Sequence, residues 1–128
     1  MTDQTSEPKA AGAGVGSPLR ARIRCLGAHH LVALAGELDL DSGPAAIEAC
    51  AAVGHRDVRV DLSGLTFMDC AGYDALAASA SILEGRGGSV ELVDPVGVPR
   101  RLLALLAESG RLDGPLRYAA GSGRPVEL

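Results

Sequence analysis

The chain has 128 residues and a formal net charge of −4 at pH 7, with 47% hydrophobic but only 2% aromatic residues. This length suits one ordinary domain, and the apolar content is enough for a core of Leu, Val, Ile and Ala. The acidic balance and the scarcity of aromatic residues argue against a nucleic-acid-binding protein. No apolar run approaches the ~20 residues of a membrane-spanning helix, so we expect no membrane insertion.

Both ends of the chain have the composition of flexible segments. Residues 1–19 are rich in Gly, Ala, Ser and Pro without a period, and they lack the basic start and apolar core of a secretory signal. We therefore expect a disordered leader over 1–19, a folded domain over 20–119 and a flexible tail over 120–128. The expected location is the cytoplasm, where the three cysteines should be reduced and mostly buried.

Between these ends, strand and helix patterns alternate. Short apolar or alternating runs predict strands, whereas apolar residues at helical spacing behind a capping residue or a proline predict helices. The predicted strands are 21–26, 31–35, 57–62, 90–93 and 115–119, and the predicted helices begin near Ser42, near Ala71 and at Pro99. His29 and His30 fall in a predicted exposed turn. The order β-β-α-β-α-β-α-β predicts one α/β domain with a mixed sheet of four to five strands packed with helices.

The polar residues form no complete catalytic or metal-binding pattern. Several carboxylates occur between positions 37 and 69, but no histidine stands near them in sequence to complete an acid–base pair. They are Glu37, Asp39, Asp41, Asp61 and Asp69. Asp41 or Ser42 suits the cap of the first helix, and Asp69 suits the entrance of the second. We therefore predict that the chain is not an enzyme and binds no cofactor or metal.

Several segments, taken together, resemble the STAS domain family and in particular its anti-sigma-factor antagonists. The resemblance is carried, in chain order, by GELD at 36–39, DSGP at 41–44, DLSGLTFMD at 61–69, RGGSVELV at 86–93 and a leucine-rich segment at 101–112. Each segment alone is weak, but their order and spacing are similar to those of the family. The resemblance covers about residues 21–119 and implies a single STAS domain.

The resemblance implies a binding function. An antagonist of this family binds an anti-sigma factor with a histidine-kinase-like ATPase fold, and this binding releases a sigma factor. The kinase then phosphorylates a serine directly after the family's Asp, and the phosphorylated antagonist dissociates. The contact residues that the resemblance implies here are Asp39, Asp69, Cys70, Ala71, Gly72 and Tyr73. The alternative is a STAS subunit of a transporter or of a multi-protein signalling scaffold.

The serine of the phosphorylation switch is absent from this chain. Cys70 follows Asp69 directly and Ala71 comes next, so we expect no phosphorylation at this position. Two interpretations stay open. The protein is a constitutive antagonist or scaffold whose Cys70 is a buried, inert packing residue, or Cys70 is a redox-sensitive trigger. A thiol enzyme built on Cys70 would lack a base.

Three further residues near the switch position each have two interpretations. Tyr73 stands where the family usually has Leu, and it is either a core residue with its hydroxyl in water or an interface anchor. Ser63 and Thr66 are the nearest hydroxyl groups, and we expect them to form turn and loop hydrogen bonds rather than to accept a phosphate.

Overall fold

A mixed sheet organises the part of the chain that the structure describes. The computed structural model describes residues 4–6, 18–27, 29–53, 57–111 and 116–118. Within them the elements in chain order are β1 (Gln4–Ser6), β2 (Arg20–Leu26), β3 (His29–Leu38), α1 (Gly43–Ala51), β4 (Asp57–Met68), α2 (Cys70–Glu84), β5 (Val90–Val93), α3 (Gly97–Glu108) and β6 (Leu116–Tyr118).

The strands lie in the sheet in the same order as in the chain. The pairs β1/β2 and β2/β3 are antiparallel, whereas β3/β4, β4/β5 and β5/β6 are parallel and are connected through α1, α2 and α3. Of the three helices, α1 and α2 pack against each other, and α3 lies against β4.

One face of the sheet carries the hydrophobic core. Val32, Val60 and Leu92 are register partners across three neighbouring strands, and each is fully buried. Helix residues join them in one cluster, among them Ala46 and Cys50 of α1, Leu76, Ala80 and Leu83 of α2, and Leu103 and Leu106 of α3. The opposite face carries more polar register partners, such as the ion pair between Arg59 Nε and Glu91 Oε1 at 3.2 Å.

The predicted α/β class and the order of its elements are confirmed, but several bounds differ. The sheet of the described residues has six strands instead of four to five, because β1 lies within the segment expected to be a disordered leader. His29 and His30 are half-buried residues of β3 instead of exposed turn residues. Gly54, which follows the apolar spacing of the first helix and is predicted to end it, lies outside the described residues. The predicted C-terminal tail, 120–128, lies outside them as well.

Strand β4 continues six residues beyond the predicted end at Leu62 because β-bulges interrupt its pairing with β3. The register between the two strands shifts between Ala33 and Ala35 and again between Gly36 and Glu37. Extra residues at such shifts let a strand pass through glycine and polar positions that break the alternating pattern. The longer strand delivers Met68 and Asp69 to the end of the sheet beside Leu38.

Gly36 lies at the second of these shifts, where the backbone is crowded. Its φ is +103°, which other residues rarely adopt, and a Cβ built on it would overlap the carbonyl oxygen of Pro18. Gly87, after α2, also has a positive φ of +88°, but no atom lies within 4 Å of its Cβ position. Both glycines therefore have a positive φ that disfavours other residues, but only Gly36 lacks room for a Cβ atom.

We expect Gly36→Ala to lower the free energy of unfolding more than Gly87→Ala does. Each substitution brings a backbone penalty of roughly 1–2 kcal/mol, and Gly36→Ala adds the displacement of the Pro18 backbone, about 1–3 kcal/mol more. Urea unfolding of the two variants and the wild type measures the difference. Equal losses at both positions would contradict the close contact between Gly36 and Pro18.

Candidate partner-binding site

The first turn of α2 is capped by Asp69. This residue has extended backbone angles, and its Oδ1 accepts a hydrogen bond from the backbone N–H of Gly72 at 2.8 Å. A carboxylate at this position satisfies a free N–H of the first turn and carries the charge that the helix N-terminus favours. The predicted role of Asp69 at the helix entrance is confirmed, and Cys70 is the first residue of the helix.

Gly72 places this turn directly against the end of β3. A Cβ at position 72 would overlap the carbonyl oxygen of Leu38 and would lie 3.0 Å from its Cγ. The same carbonyl accepts a hydrogen bond from Asp69 N at 3.4 Å. Gly72 is buried. Gly72 therefore allows the first turn of α2 to lie close to β3, and it adds no side chain to the surface of the site.

The loop between β3 and α1 is closed by a hydrogen-bonded turn centred on Asp39. Its Oδ1 accepts from the N–H of Asp41 at 3.0 Å and of Ser42 at 3.1 Å. The Ser42 hydroxyl donates to the carbonyl of Glu37 at 2.8 Å and accepts from Asp39 N at 2.9 Å. Ser42 occupies the N-cap position of α1, but its side chain caps no N–H of that helix. The cap expected of Asp41 or Ser42 is thus replaced by this turn.

Two large apolar side chains, Leu40 and Phe67, are exposed next to these two loops. Leu40, at the tip of the Asp39 turn, is 75% exposed, and Phe67, the register partner of Glu37 near the end of β4, is 38% exposed. Both belong to the same end of the sheet as Cys70, which is itself exposed. Neither residue was among the predicted contact residues, although an apolar residue between Asp39 and Asp41 in a polar turn indicates an exposed side chain.

The three free cysteines have different environments. Cys25 and Cys70 are exposed, so the expectation that they are buried is wrong for both. Cys50 is fully buried between α1 and α2, where desolvation raises the pKa of its thiol to about 11 even though a hydrogen bond with Ser79 lowers it. A buried thiol with a raised pKa is inert at neutral pH. The exposed Cys70 is the cysteine available at this end of the molecule.

Tyr73 belongs to the core, which decides between its two interpretations. Its side chain is 3% exposed, and its hydroxyl donates a hydrogen bond to the backbone carbonyl of Arg111 at 3.1 Å. The hydroxyl is therefore bonded to the segment that follows α3. An ion pair between Asp74 and Arg111, at 3.6 Å, links the same two elements at the surface.

The remaining candidate residues have structural contacts. The Thr66 hydroxyl donates to the Gly36 carbonyl at 3.2 Å, and Ser63 N donates to Asp61 Oδ1 at 2.9 Å. Among the described residues, no three or more His, Cys, Asp or Glu side chains are placed to hold a metal ion. His55 lies outside the described residues. No helix in the described part of the chain is long and apolar enough to cross a membrane.

Solved structures with the same fold include two anti-sigma factor antagonists. One, from Mycobacterium paratuberculosis, is 24% identical with a TM-score of 0.63, covering 77% of this chain and 85% of that chain. The other is SpoIIAA in its unphosphorylated form, 19% identical with a TM-score of 0.55, covering 79% of this chain and 89% of that one. At these identities the likeness concerns the fold.

The fold also occurs inside a much larger protein. The murine anion transporter solute carrier 26 family member A9, in its inward-facing state, is 20% identical with a TM-score of 0.57, covering 73% of this chain but only 16% of the transporter chain. A comparison with curated proteins found no match. The family model described as "Mlab, STAS domain" matches residues 21–117, which is most of the chain. With its sheet, its three crossover helices and this match, the chain belongs to the STAS domain family.

Proposed function

We propose that this protein is an anti-sigma-factor antagonist, a cytoplasmic binding protein rather than an enzyme. It binds an anti-sigma factor with a histidine-kinase-like ATPase fold and thereby releases a sigma factor, with Cys70 in place of the usual phosphoserine. The proposal is supported by the two antagonists of the same fold, because the match to this chain covers 85% and 89% of their lengths.

The observation that carries the proposal is the exposed face at the end of the sheet. Leu40 and Cys70 are exposed there, next in sequence to the half-buried Asp39 and Asp69, and Phe67 is exposed near the end of β4. Apolar side chains surrounded by polar groups on a surface are typical of protein–protein contacts. Of the residues that the resemblance implied, Asp39, Asp69, Cys70 and Ala71 form the contact, whereas Gly72 and Tyr73 support it from inside.

Cys70 makes the contact independent of a kinase. In an antagonist with serine at this position, a phosphate would add about −1.5 to −2 charges beside the carboxylates of this face. Binding would then require the desolvation of that charge, so the complex would dissociate. A thiol carries no acceptor hydroxyl for the kinase. The chain therefore remains in its binding form when the anti-sigma factor is supplied with ATP.

The second candidate function is that of a STAS subunit in a transporter or a multi-protein signalling scaffold. This candidate is favoured by the anion transporter in which the same fold occupies 16% of the chain. The two candidates differ in the protein that binds the exposed face, namely an ATPase-fold regulator or a membrane transport assembly.

We expect the wild-type chain, used as bait in extracts of its source cells, to copurify an anti-sigma factor of ATPase fold. Leu40→Glu should abolish the capture, because it places a charge in the contact. Ile82→Glu is the matched control, since Ile82 is a 37% exposed apolar residue on α2 outside this face. Mass spectrometry identifies the captured protein. A transport subunit captured in its place, with the same loss in Leu40→Glu, would favour the second candidate.

We expect Leu40→Ala and Tyr73→Ala to affect different quantities. Leu40→Ala should weaken binding of the anti-sigma factor by ~1–3 kcal/mol with unchanged thermal stability, because the side chain is exposed until it is covered by the partner. Tyr73→Ala should lower the free energy of unfolding by roughly 3–5 kcal/mol, as for other large core residues. Tyr73→Phe, which removes only the hydrogen bond to Arg111, should lose about 1 kcal/mol. Calorimetric titration and urea unfolding give the two quantities. Normal affinity of Leu40→Ala would remove Leu40 from the contact.

We expect substitutions at Cys70 to distinguish the effect of side-chain charge on binding from the effect of side-chain size. Cys70→Ser should bind the anti-sigma factor about as tightly as wild type, because the side chains are similar in size, and it restores an acceptor for a kinase. Cys70→Asp should bind at least about tenfold more weakly, because a fixed negative charge must be desolvated next to Asp69.

Intact mass after incubation with the partner and ATP completes the Cys70 test. The wild type should gain no phosphate. Phosphate on Ser63 or Thr66 of the wild type would contradict the kinase-independent contact, and tight binding by Cys70→Asp would show that the partner docks elsewhere.

A further inference from the structure

Helix α3 has one apolar stripe that is buried in the core and a second that is partly exposed. Pro99, Leu103 and Leu106 are buried at helical spacing. The residues immediately before them, Val98, Leu102 and Leu105, therefore form a second stripe about 100° around the helix. Val98 is 42% exposed and Leu105 is 63% exposed, whereas Leu102 between them is half-buried and packs against the core. We call Val98, Leu102 and Leu105 the outer stripe of α3.

The charged residues of α3 are placed against the helix dipole. Arg100 and Arg101 lie near the N-terminal end of α3 and Glu108 is its last residue, all exposed, with no acidic residue in the first turn and no basic residue in the last. A helix favours the opposite placement, with acidic residues at its beginning and basic residues at its end. Nothing within α3 compensates for this arrangement.

The same arrangement is complementary to itself in an antiparallel pair. When a second α3 lies alongside in the opposite direction, its Glu108 end meets the Arg101 end of the first helix, and the symmetry repeats the pairing at the other end. The two outer stripes then face each other, with Leu105 near the centre. A two-fold axis produces such a self-complementary contact from one surface patch.

We propose that the outer stripe of α3 binds the outer stripe of a second copy of this chain, in antiparallel orientation. The inference goes beyond the proposed function. A helix of 12 residues is only ~18 Å long, so the contact is smaller than a standard interface and the dimer is weak.

Sedimentation equilibrium of the purified full-length chain, at concentrations up to about 1 mM, tests the apolar part of the contact. The wild type should dimerise as its concentration rises, and Leu105→Glu should remain monomeric. Ile82→Glu, an identical change of charge at an exposed apolar residue of α2, should dimerise like the wild type. Thermal unfolding of each variant in dilute solution verifies that it is folded. A monomeric wild type, or a dimer that Leu105→Glu leaves intact, would overturn the proposal, as would dimer loss in folded Ile82→Glu.

Charge reversals test the antiparallel orientation. Arg101→Glu alone and Glu108→Arg alone should each weaken dimerisation about tenfold, because two symmetric pairs become repulsive. An equimolar mixture of the two variants should form a heterodimer more tightly than either variant pairs with itself, since each Glu then faces an Arg. The double variant should dimerise about as well as wild type. Single reversals without effect, or a mixture no tighter than its components, would contradict the pairing of Arg101 with Glu108.

Discussion

The first turn of α2 lies so close to the end of β3 that only glycine fits between them, and the rest of the candidate site depends on this approach. The hydrogen of Gly72 points at the Leu38 carbonyl, where a Cβ would overlap the oxygen. Positions two residues apart on a helix point about 200° apart. With Gly72 turned toward the sheet, Cys70 must therefore point outward. Tyr73, one position further, is turned into the core, where its hydroxyl meets the Arg111 carbonyl.

Sequence patterns were sufficient for the parts of the fold whose local signals agree. The strand 90–93 and the helices that begin near Ala71 and Pro99 combine regular apolar spacing with glycine or proline boundaries, and each lies within a few residues of its expected place. The full length of β4 could not be read in this way. Its continuation to Met68 depends on shifts in the pairing with β3, which involve residues about 30 positions apart in sequence.

The exposure of individual side chains was harder to predict than the elements that carry them. Cys25 and Cys70 were expected to be buried because cysteine usually is, but one lies toward the end of a strand and the other begins a helix, where neighbours cover little of the side chain. The outer stripe of α3 could not be predicted from the sequence. Leucines at neighbouring positions predict one broad apolar face, and only the packing of the helix shows which of them are buried.

The Asp39 turn, finally, bears on the speed and the entropy of complex formation. Its backbone groups and the Ser42 hydroxyl are already engaged within the turn before any partner arrives. Immobilising a loop during association reduces affinity, and a loop that is ordered during folding avoids this loss. Leu40 is therefore presented on a rigid support, and in the proposed complex the partner would meet this face with little rearrangement. Differences in affinity among variants of this face should then arise mainly in the rate of dissociation, while the rate of association changes little.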